Sequence, residues 1–291
     1  MRLHCAIQVL LVLFICRASR CSAASEEAPF QFRDGFIWIE VTTAGAAEPL
    51  HFLFDSGAQL SVIDTRTARH LGIKRGRPVP VMGVSGTATG FWPQVLDARA
   101  GRIKLPRKYV MLDLSNLGQA CTNGMVDGII GADFFHDRIV QIDFQRHTIR
   151  LLGKSPTETG MQVLPLKVRP CGMLVPIQVN NSALQWVRLD TGCASDLQWV
   201  TASVGAEGCT KRVAVALTSF SVPVTQTAVA LGAFRFEKVP TDLQEREIFP
   251  GEKGLLGNGM LSRFQSVTID AKGKRVILGR ISPLSEKRPT S

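Results

Sequence analysis

The sequence is poor in the residue patterns from which metal, nucleotide and nucleic-acid sites are built. None of its 7 cysteines forms a CxxC pair, and its 5 histidines show no HxxxH or related spacing, which argues against a zinc site. No GK[ST] sequence follows a glycine-rich stretch, which argues against a phosphate-binding loop. Tyrosine occurs once, and no stretch alternates aromatic with basic residues. We therefore expect no metal, no cofactor and no nucleic-acid partner.

Acidic residues are also in deficit, since 24 Asp and Glu stand against 34 Lys and Arg and give a formal net charge of +10. The basic residues occur in short, separated clusters at 74–75, 107–108, 211–212 and 272–275. This dispersion favours ordinary solvated surface charge. Attraction to anionic surfaces or acidic substrates stays an open alternative.

Long apolar runs are absent except near the N-terminus. Residues 5–16 are apolar apart from Gln8, follow a positive charge at Arg2, and lead to small residues at 22–24. This pattern predicts a signal peptide over residues 1–23 and a secreted or periplasmic protein. An uncleaved membrane anchor would need about 20 apolar residues, so we expect no stable membrane insertion.

Removal of this leader would leave four cysteines: Cys121, Cys171, Cys193 and Cys209. An even number in an oxidising compartment predicts up to two disulfides. Four cysteines allow three connectivities, and the sequence does not choose among them.

The second half of the chain repeats the order of the first. Each half contains an apolar segment, a turn and a second apolar segment ending in Asp-(Ser/Thr)-Gly, in residues 35–58 and 172–193. Each then contains two aliphatic residues before a glycine, in residues 125–135 and 251–264. Each ends with a strand, a polar turn and a strand, in residues 140–152 and 267–279. The repeat predicts two homologous units.

These units are expected to be mainly β. Short apolar runs broken by Gly and Pro fill most of each half, and residues 64–72 form the clearest predicted helix, with Gly72 as its end. The predicted organisation is a signal peptide, an N-terminal lobe over 24–155, a C-terminal lobe over 163–282 and a tail over 283–291. A polar, turn-rich link separates the lobes.

The two Asp-(Ser/Thr)-Gly sequences are the most informative motif. Two such matches arise by chance in roughly one chain of this length in a hundred. Ordinary β-turns use the same residues, but turns alone do not explain why each motif is followed, at the same place in the repeat, by an aliphatic-aliphatic-glycine strand.

The stretch HFLFDSGAQLSVID with VDGIIG resembles the retropepsin-like and pepsin-like aspartic proteases, and VRLDTGCASDLQWV with GLLG repeats the resemblance. The resemblance covers about residues 30 to 281. It implies an all-β, bilobal aspartic protease fold with two homologous six-stranded-type β-barrel lobes and the active site between them. It also implies an aspartic endopeptidase that acts on polypeptide substrates as a monomer, with Asp55 and Asp190 as its catalytic dyad.

The chemistry needs two carboxyl groups because like charges held close together cannot both ionise easily, so the pair shares a proton. One carboxylate can then act as general base on a water molecule, while the protonated partner donates a hydrogen bond to the scissile carbonyl.

Further residues take supporting roles in this resemblance. The hydroxyls of Ser56 and Thr191 brace the two turns across the interface, and four glycines allow close backbone approach: Gly57, Gly192, Gly131 and Gly257. A substrate flap is expected over residues 81–92, with Gly83, Ser85 and Gly86 at its tip. An ordinary glycine-rich surface hairpin is the alternative for that segment.

The sequence departs from pepsin-type enzymes directly after each motif, where Ala58 and Cys193 replace a hydroxyl residue. Loss of a hydrogen bond to the ionised form should raise the pKa values of the dyad, which predicts an optimum at weakly acidic to neutral pH. Cys193 is expected to be a buried structural thiol or half of a disulfide, because a neighbouring carboxylate disfavours its thiolate. A noncatalytic peptide-binding or scaffold protein that keeps the fold is the main alternative function, and a salt-sensitive basic interaction domain is a third.

Overall fold

The computed structural model describes residues 26–83, 86–117, 125–157, 159–201, 210–215 and 218–283. The predicted signal peptide, Ser85, Cys121, Cys209 and all but the first residue of the predicted tail lie outside the described residues. No helix in the described part of the chain is long and apolar enough to cross a membrane.

The described chain is mostly β, as the sequence predicts. The strands and helices of the first half are β1 Glu27–Arg33, β2 Phe36–Thr43, β3 Leu50–Phe54, β4 Val62–Asp64, α1 Thr65–His70, β5 Arg77–Gly83, β6 Gly86–Val95, β7 Ala98–Ala100, β8 Ile103–Lys104, β9 Lys108–Leu112, β10 Gly128–Ile130, a 3-10 helix Ala132–Phe135, β11 Ile139–Asp143 and β12 Thr148–Leu151. Those of the second half are β13 Gln162–Pro165, β14 Lys167–Arg169, β15 Gly172–Val179, β16 Gln185–Leu189, β17 Leu197–Val200, β18 Thr210–Val215, β19 Thr218–Leu231, β20 Phe234–Gln244, β21 Gly254–Leu256, α2 Asn258–Leu261, β22 Ser266–Asp270 and β23 Arg275–Leu278.

The second half forms a closed barrel of six strands. The hydrogen-bonded order is β15, β16, β21, β17, β20 and β19, and β19 returns to β15 through the pairs Gln178↔Ala230 and Val179↔Val229. A closed barrel leaves no free edge among these six strands.

The first half repeats this order with β2, β3, β10, β4, β9 and β6. Its sixth strand is interrupted after Val95, and the continuation, β7, returns to β2 through Thr42↔Arg99 and Thr43↔Ala98. The two barrels are therefore homologous in strand order, which confirms the all-β aspartic protease fold. The predicted lobe boundaries stay a prediction.

A third sheet joins the two barrels. It contains three strands from each half in the order β13, β23, β22, β11, β12 and β1. At its centre β11 and β22, which are equivalent strands of the repeat, pair antiparallel from Ile139↔Asp270 to Asp143↔Ser266. The predicted repeat thus corresponds to a structure with approximate twofold symmetry.

Strand β2 shows how the sequence builds two apolar layers. Successive side chains of a strand point to opposite faces, so Ile37, Ile39 and Val41 enter the main core. Phe36 and Trp38 on the other face join a smaller apolar cluster, which we name the wall cluster. Its members are Phe36, Trp38, Leu53, Val62, Val110, Leu112, Leu114, Leu117, Val126 and Ile129.

The predicted helix over 64–72 is confirmed as α1. The Asp64 side chain caps its start by accepting hydrogen bonds from the backbone N–H groups of Arg66 and Thr67, at 2.8 and 3.3 Å. The chain leaves the helix through Gly72, whose φ of +68° is in the left-handed region.

Candidate active site

The two Asp-(Ser/Thr)-Gly turns occupy equivalent places in the two barrels. Asp55 follows β3, and its backbone N–H donates to the Ile130 carbonyl at 2.9 Å. Asp190 follows β16, and its backbone N–H donates to the Leu256 carbonyl at 3.0 Å. Each turn is therefore fixed by the parallel aliphatic strand that the repeat places behind it, β10 in the first half and β21 in the second.

Ser56 and Thr191 lock the two turns together. The Thr191 hydroxyl accepts from the Ser56 backbone N–H and donates to the Phe54 carbonyl, both at 2.8 Å. The Ser56 hydroxyl accepts from the Thr191 backbone N–H at 3.0 Å and donates to the Leu189 carbonyl at 2.8 Å. The four hydrogen bonds are symmetric and buried, as the resemblance implies for these two side chains.

Gly57 and Gly192 make room for the carboxyl group of the opposite turn. A methyl group on Gly57 would collide with the Asp190 carboxyl group, and one on Gly192 would collide with that of Asp55. Each carboxyl group therefore packs against the other turn, and the two groups interact directly with each other. The structure brings together the two residues that the sequence predicts as a dyad.

Gly131 and Gly257, directly after β10 and β21, likewise allow a close approach, here to the loops that follow the two aspartates. A Cβ on Gly131 would lie 2.6 Å from the Leu60 carbonyl oxygen, and one on Gly257 would lie 2.6 Å from the Cys193 carbonyl oxygen. Only glycine allows the aliphatic strands to pass this close to the loops that follow the two aspartates.

Residues 39–134 match the sequence model of a family described as aspartyl protease. This range is about a third of the chain, and it contains Asp55, its turn and the β10 strand behind it. Residues 39–134 are therefore similar to the aspartyl protease family. None of the curated proteins matches the chain. The family indicates a protease-type function, and the catalytic roles of Asp55 and Asp190 stay predictions.

Asp55 and Asp190 both have pKa values above that of an isolated aspartate. Burial raises the pKa of Asp55, while backbone N–H donors at Ala58 and Gly57 oppose that rise. Burial and then the charge of Asp55 raise the pKa of Asp190 well above its ordinary value, and Arg188 opposes the rise. The environments of the two carboxyl groups are therefore unequal.

Hydrogen bonds show the same inequality. Asp55 Oδ1 accepts two backbone N–H bonds, from Gly57 at 2.8 Å and from Ala58 at 3.0 Å. Asp190 Oδ1 accepts one, from Gly192 at 2.9 Å, because the Cys193 N–H is directed to the Asp190 backbone carbonyl at 3.3 Å. Ala58 lacks the hydroxyl of pepsin-type enzymes, but its backbone N–H donates to the Asp55 carboxyl group. The backbone N–H of Cys193, at the equivalent position, does not donate to the Asp190 carboxyl group.

The described cysteines do not form the predicted disulfides. Cys171 and Cys193 are both free thiols, and the remaining two of the four cysteines lie outside the described residues. Cys171 is exposed, whereas Cys193 is buried, with its Sγ 2.9 Å from the position that a Cβ on Gly257 would take. Burial, followed by the charge of Asp190, raises the pKa of the Cys193 thiol and disfavours a thiolate.

The predicted flap segment is a β-hairpin. Strands β5 and β6 pair from Arg77↔Trp92 to Gly83↔Gly86, so Gly83 and Gly86 face each other beside the tip. Val81 and Ala88 of the hairpin pack against the wall cluster, as do Ala58 and Ala194 from the two active-site turns. An apolar wall therefore connects the dyad with the hairpin, while the role of the hairpin as a lid stays a prediction.

The two halves differ in which element supplies a carboxylate near the loop that follows each aspartate, and the sequence analysis did not identify this difference. In the first half the Ser61 hydroxyl donates to Asp133 at 2.8 Å, from the loop to the 3-10 helix. In the second half the loop itself supplies the carboxylate, since Asp196 occupies the position of Ser61 and pairs with Arg263. Aligning the two halves position by position could have revealed this difference.

Because Asp196 supplies the carboxylate from the loop, position 259 at the start of α2 has no room for a side chain. A Cβ on Gly259, the equivalent of Asp133, would lie 2.6 Å from the Asp196 carboxylate oxygen.

The sequence analysis also missed Arg188, which lies two residues before Asp190. Its side chain is fully buried and forms a bidentate ion pair with Glu252, with Nε and Nη2 at 2.8 and 2.7 Å from the two carboxylate oxygens. The position two residues before Asp190 in a predicted strand was a signal, because alternate residues of a strand share a face.

Proposed function

We propose that this protein is an aspartic endopeptidase that hydrolyses peptide bonds with a water molecule activated between Asp55 and Asp190. The observation that carries the proposal is the placement of two mutually interacting carboxyl groups, half-buried Asp55 and buried Asp190, at symmetric turns from two homologous barrels. Burial raises both pKa values, and the charge of Asp55 raises that of Asp190 further, which favours a pair that shares one proton.

The reaction follows from that shared proton. The ionised carboxylate takes a proton from water as the water oxygen bonds to the scissile carbonyl carbon. The protonated carboxyl group donates its proton to the developing carbonyl oxygen. Collapse of the tetrahedral species returns a proton to the leaving nitrogen and breaks the C–N bond. Water is consumed, one carboxylic acid and one amine are released, and no covalent enzyme intermediate forms.

The substrate class proposed is an unfolded or extended polypeptide. Half-buried apolar side chains that pack against the wall cluster, Ala58 on the turn and Val81 and Ala88 on the β5–β6 hairpin, offer an apolar surface beside the dyad. Burial of an apolar substrate side chain against such a surface contributes about 1.5–3 kcal/mol. A preference for apolar residues next to the cleaved bond is therefore part of the proposal.

The remaining features of the proposal concern where and in what form the protein acts. We propose export with removal of residues 1–23, on the charge and apolar pattern of that segment. We also propose a monomer, because both carboxyl groups come from one chain and no second copy is needed to complete the dyad.

The test is cleavage of an unstructured peptide library by the purified mature protein and by the variants Asp55→Asn and Asp190→Asn. Either substitution should abolish cleavage, because Asn can neither share the proton nor act as a base. Asp34→Asn is the matched control, since Asp34 is exposed and its φ of 55° is one that Asn tolerates.

Cleavage that persists in both dyad variants would contradict the proposal. Peptide binding without cleavage by the wild-type protein would support the noncatalytic alternative. A specific activity independent of protein concentration is expected for a monomer, and loss of specific activity on dilution would exclude it.

A further inference from the structure

The two barrels differ at the strand position two residues before each aspartate. The first half has Leu53 there, a buried member of the wall cluster whose side chain carries no hydrogen-bond donor. The second half has Arg188, which is fully buried. An ionised side chain at zero exposure must be held by specific partners, because an unpaired buried charge is strongly unfavourable.

Arg188 has such partners on every side. Glu252 binds Nε and Nη2 in a fork, and the Phe249 ring lies 3.6 Å from Cζ. Nη1 donates to the carbonyls of Cys171 and Gly57. Gly172 lacks a side chain where a Cβ would collide with the guanidinium. The fork fixes the plane of the guanidinium and therefore the direction in which Nη1 points.

The contact with Gly57 crosses from the second barrel to the first. Nη1 of Arg188 lies 3.1 Å from the Gly57 carbonyl oxygen. That carbonyl belongs to the same peptide group as the Ala58 N–H, which donates to Asp55 Oδ1 at 3.0 Å. A donor on one side of a peptide group polarises the group and strengthens the hydrogen bond that its N–H makes on the other side.

We propose that Arg188 is a positioning residue that acts through the Gly57–Ala58 peptide to make Asp55 the ionised member of the pair, the general base, and Asp190 the protonated member, the general acid. The inference rests on the proposed function for the roles of base and acid, but the order of ionisation is a property of the folded protein alone.

The positive charge of Arg188 does not by itself make one carboxyl group the base, because it acts in the same sense on both. The leading causes of the two pKa shifts include the partner aspartate and a single cation, Arg188, at each carboxyl group. Through space Arg188 lowers the pKa of both carboxyl groups. The route through the peptide reaches Asp55 only, since the Cys193 N–H on the other turn is bonded to a backbone carbonyl.

The direct test measures each carboxyl group without its partner. Carbon-13 NMR of aspartate-labelled Asp190→Asn reports the pKa of Asp55, and the same measurement on Asp55→Asn reports that of Asp190. We expect Asp55 to titrate at the lower pH. A lower pKa for Asp190 than for Asp55 would overturn the proposal.

Arg188→Lys separates the two routes, because lysine keeps the positive charge but cannot offer a planar fork. Added to Asp190→Asn, it should raise the pKa of Asp55 by about half a unit, as expected when one polarised hydrogen bond is weakened. Added to Asp55→Asn, it should move the pKa of Asp190 by less. Equal shifts, or no shift at Asp55, would show that the peptide route does not operate.

A double variant covers the case in which a lone buried charge prevents folding. Arg188→Met with Glu252→Gln removes both charges, so neither is left uncompensated. It should raise the pKa of Asp55 by more than Arg188→Lys does. Arg275→Lys is the matched control, because Arg275 pairs with Asp270 on β22 and β23, away from both turns, and should leave both values unchanged.

Activity gives the second readout. In Arg188→Lys the acidic limb of the pH profile of kcat/KM should move to higher pH while KM changes little. A uniform loss at every pH would indicate a merely structural role and would contradict the proposal. The NMR titrations need no cleavage, so a wild-type protein without peptidase activity would sink the proposed function and leave the order of ionisation to be judged separately.

Discussion

Removal of the Thr191 hydroxyl tests whether the cross-turn hydrogen bonds stabilise the joined barrels. In Thr191→Val the shape is kept, but the Ser56 N–H loses its acceptor and the Phe54 carbonyl loses its donor, both from bonds of 2.8 Å. Ser56 and Phe54 are buried, so water cannot replace the hydroxyl.

The magnitude follows from the two groups left without partners. A buried polar group without a partner costs about 1–3 kcal/mol. Because the two groups share one network, their costs do not simply add, and we expect a loss of about 2–4 kcal/mol in the free energy of unfolding. That is a large part of the roughly 5–15 kcal/mol typical of a folded protein.

The assay is urea unfolding followed by tryptophan fluorescence, with the midpoint and slope compared between variant and wild type. Thr148→Val is the matched control, because the Thr148 hydroxyl is buried and has no hydrogen-bond partner among the described residues. The control should be neutral or slightly stabilising. A loss below about 1 kcal/mol in Thr191→Val, or one equal to that of the control, would refute the reasoning.

Three further predictions concern the dyad and its surroundings. Gly57→Ala and Gly192→Ala should each abolish peptide cleavage, because the added methyl would collide with the opposite carboxyl group. The control Gly153→Ala has open space around its Cβ and should retain activity. Activity in either Gly57→Ala or Gly192→Ala would contradict the packing described. At low pH the dyad takes up its second proton and loses its base. Because the pKa values of both carboxyl groups are raised, this loss should occur at higher pH than for ordinary carboxyl groups, and the rate should peak at weakly acidic to neutral pH. A maximum near pH 2–3 in the pH profile would refute this. In the folded protein a thiol reagent should modify exposed Cys171 and leave buried Cys193 unmodified, as measured by mass spectrometry. Fast labelling of Cys193 in a protein that keeps its activity would contradict the burial of this thiol.

The flap and export predictions show where sequence patterns reach their limit. Alternating apolar residues and glycines predict the β5–β6 hairpin, and the structure confirms the hairpin. Whether that hairpin closes over a substrate depends on a ligand and on motion, which a local pattern does not encode. Export likewise depends on a segment that is read before the protein folds.

The sequence by itself determined the all-β class, the duplication, and the presence of one Asp-(Ser/Thr)-Gly motif at the same place in each half. These features follow from local rules, because period-two alternation forms strands and because a close approach of backbones requires glycine. The pairing of residues 56 and 191 was implied by the resemblance to the aspartic proteases, and the structure contains the hydrogen bonds between them.

Only the tertiary structure decided how the two halves differ. Arg188 meets Glu252 and Gly57 across 64 and 131 residues of chain, and Asp196 takes the space left by Gly259, which is similarly distant in sequence. Contacts of this kind depend on strand register and on the docking of one barrel against the other, which no local pattern specifies. The inequality of Asp55 and Asp190 is therefore a product of folding, although the two aspartates themselves are visible in the sequence.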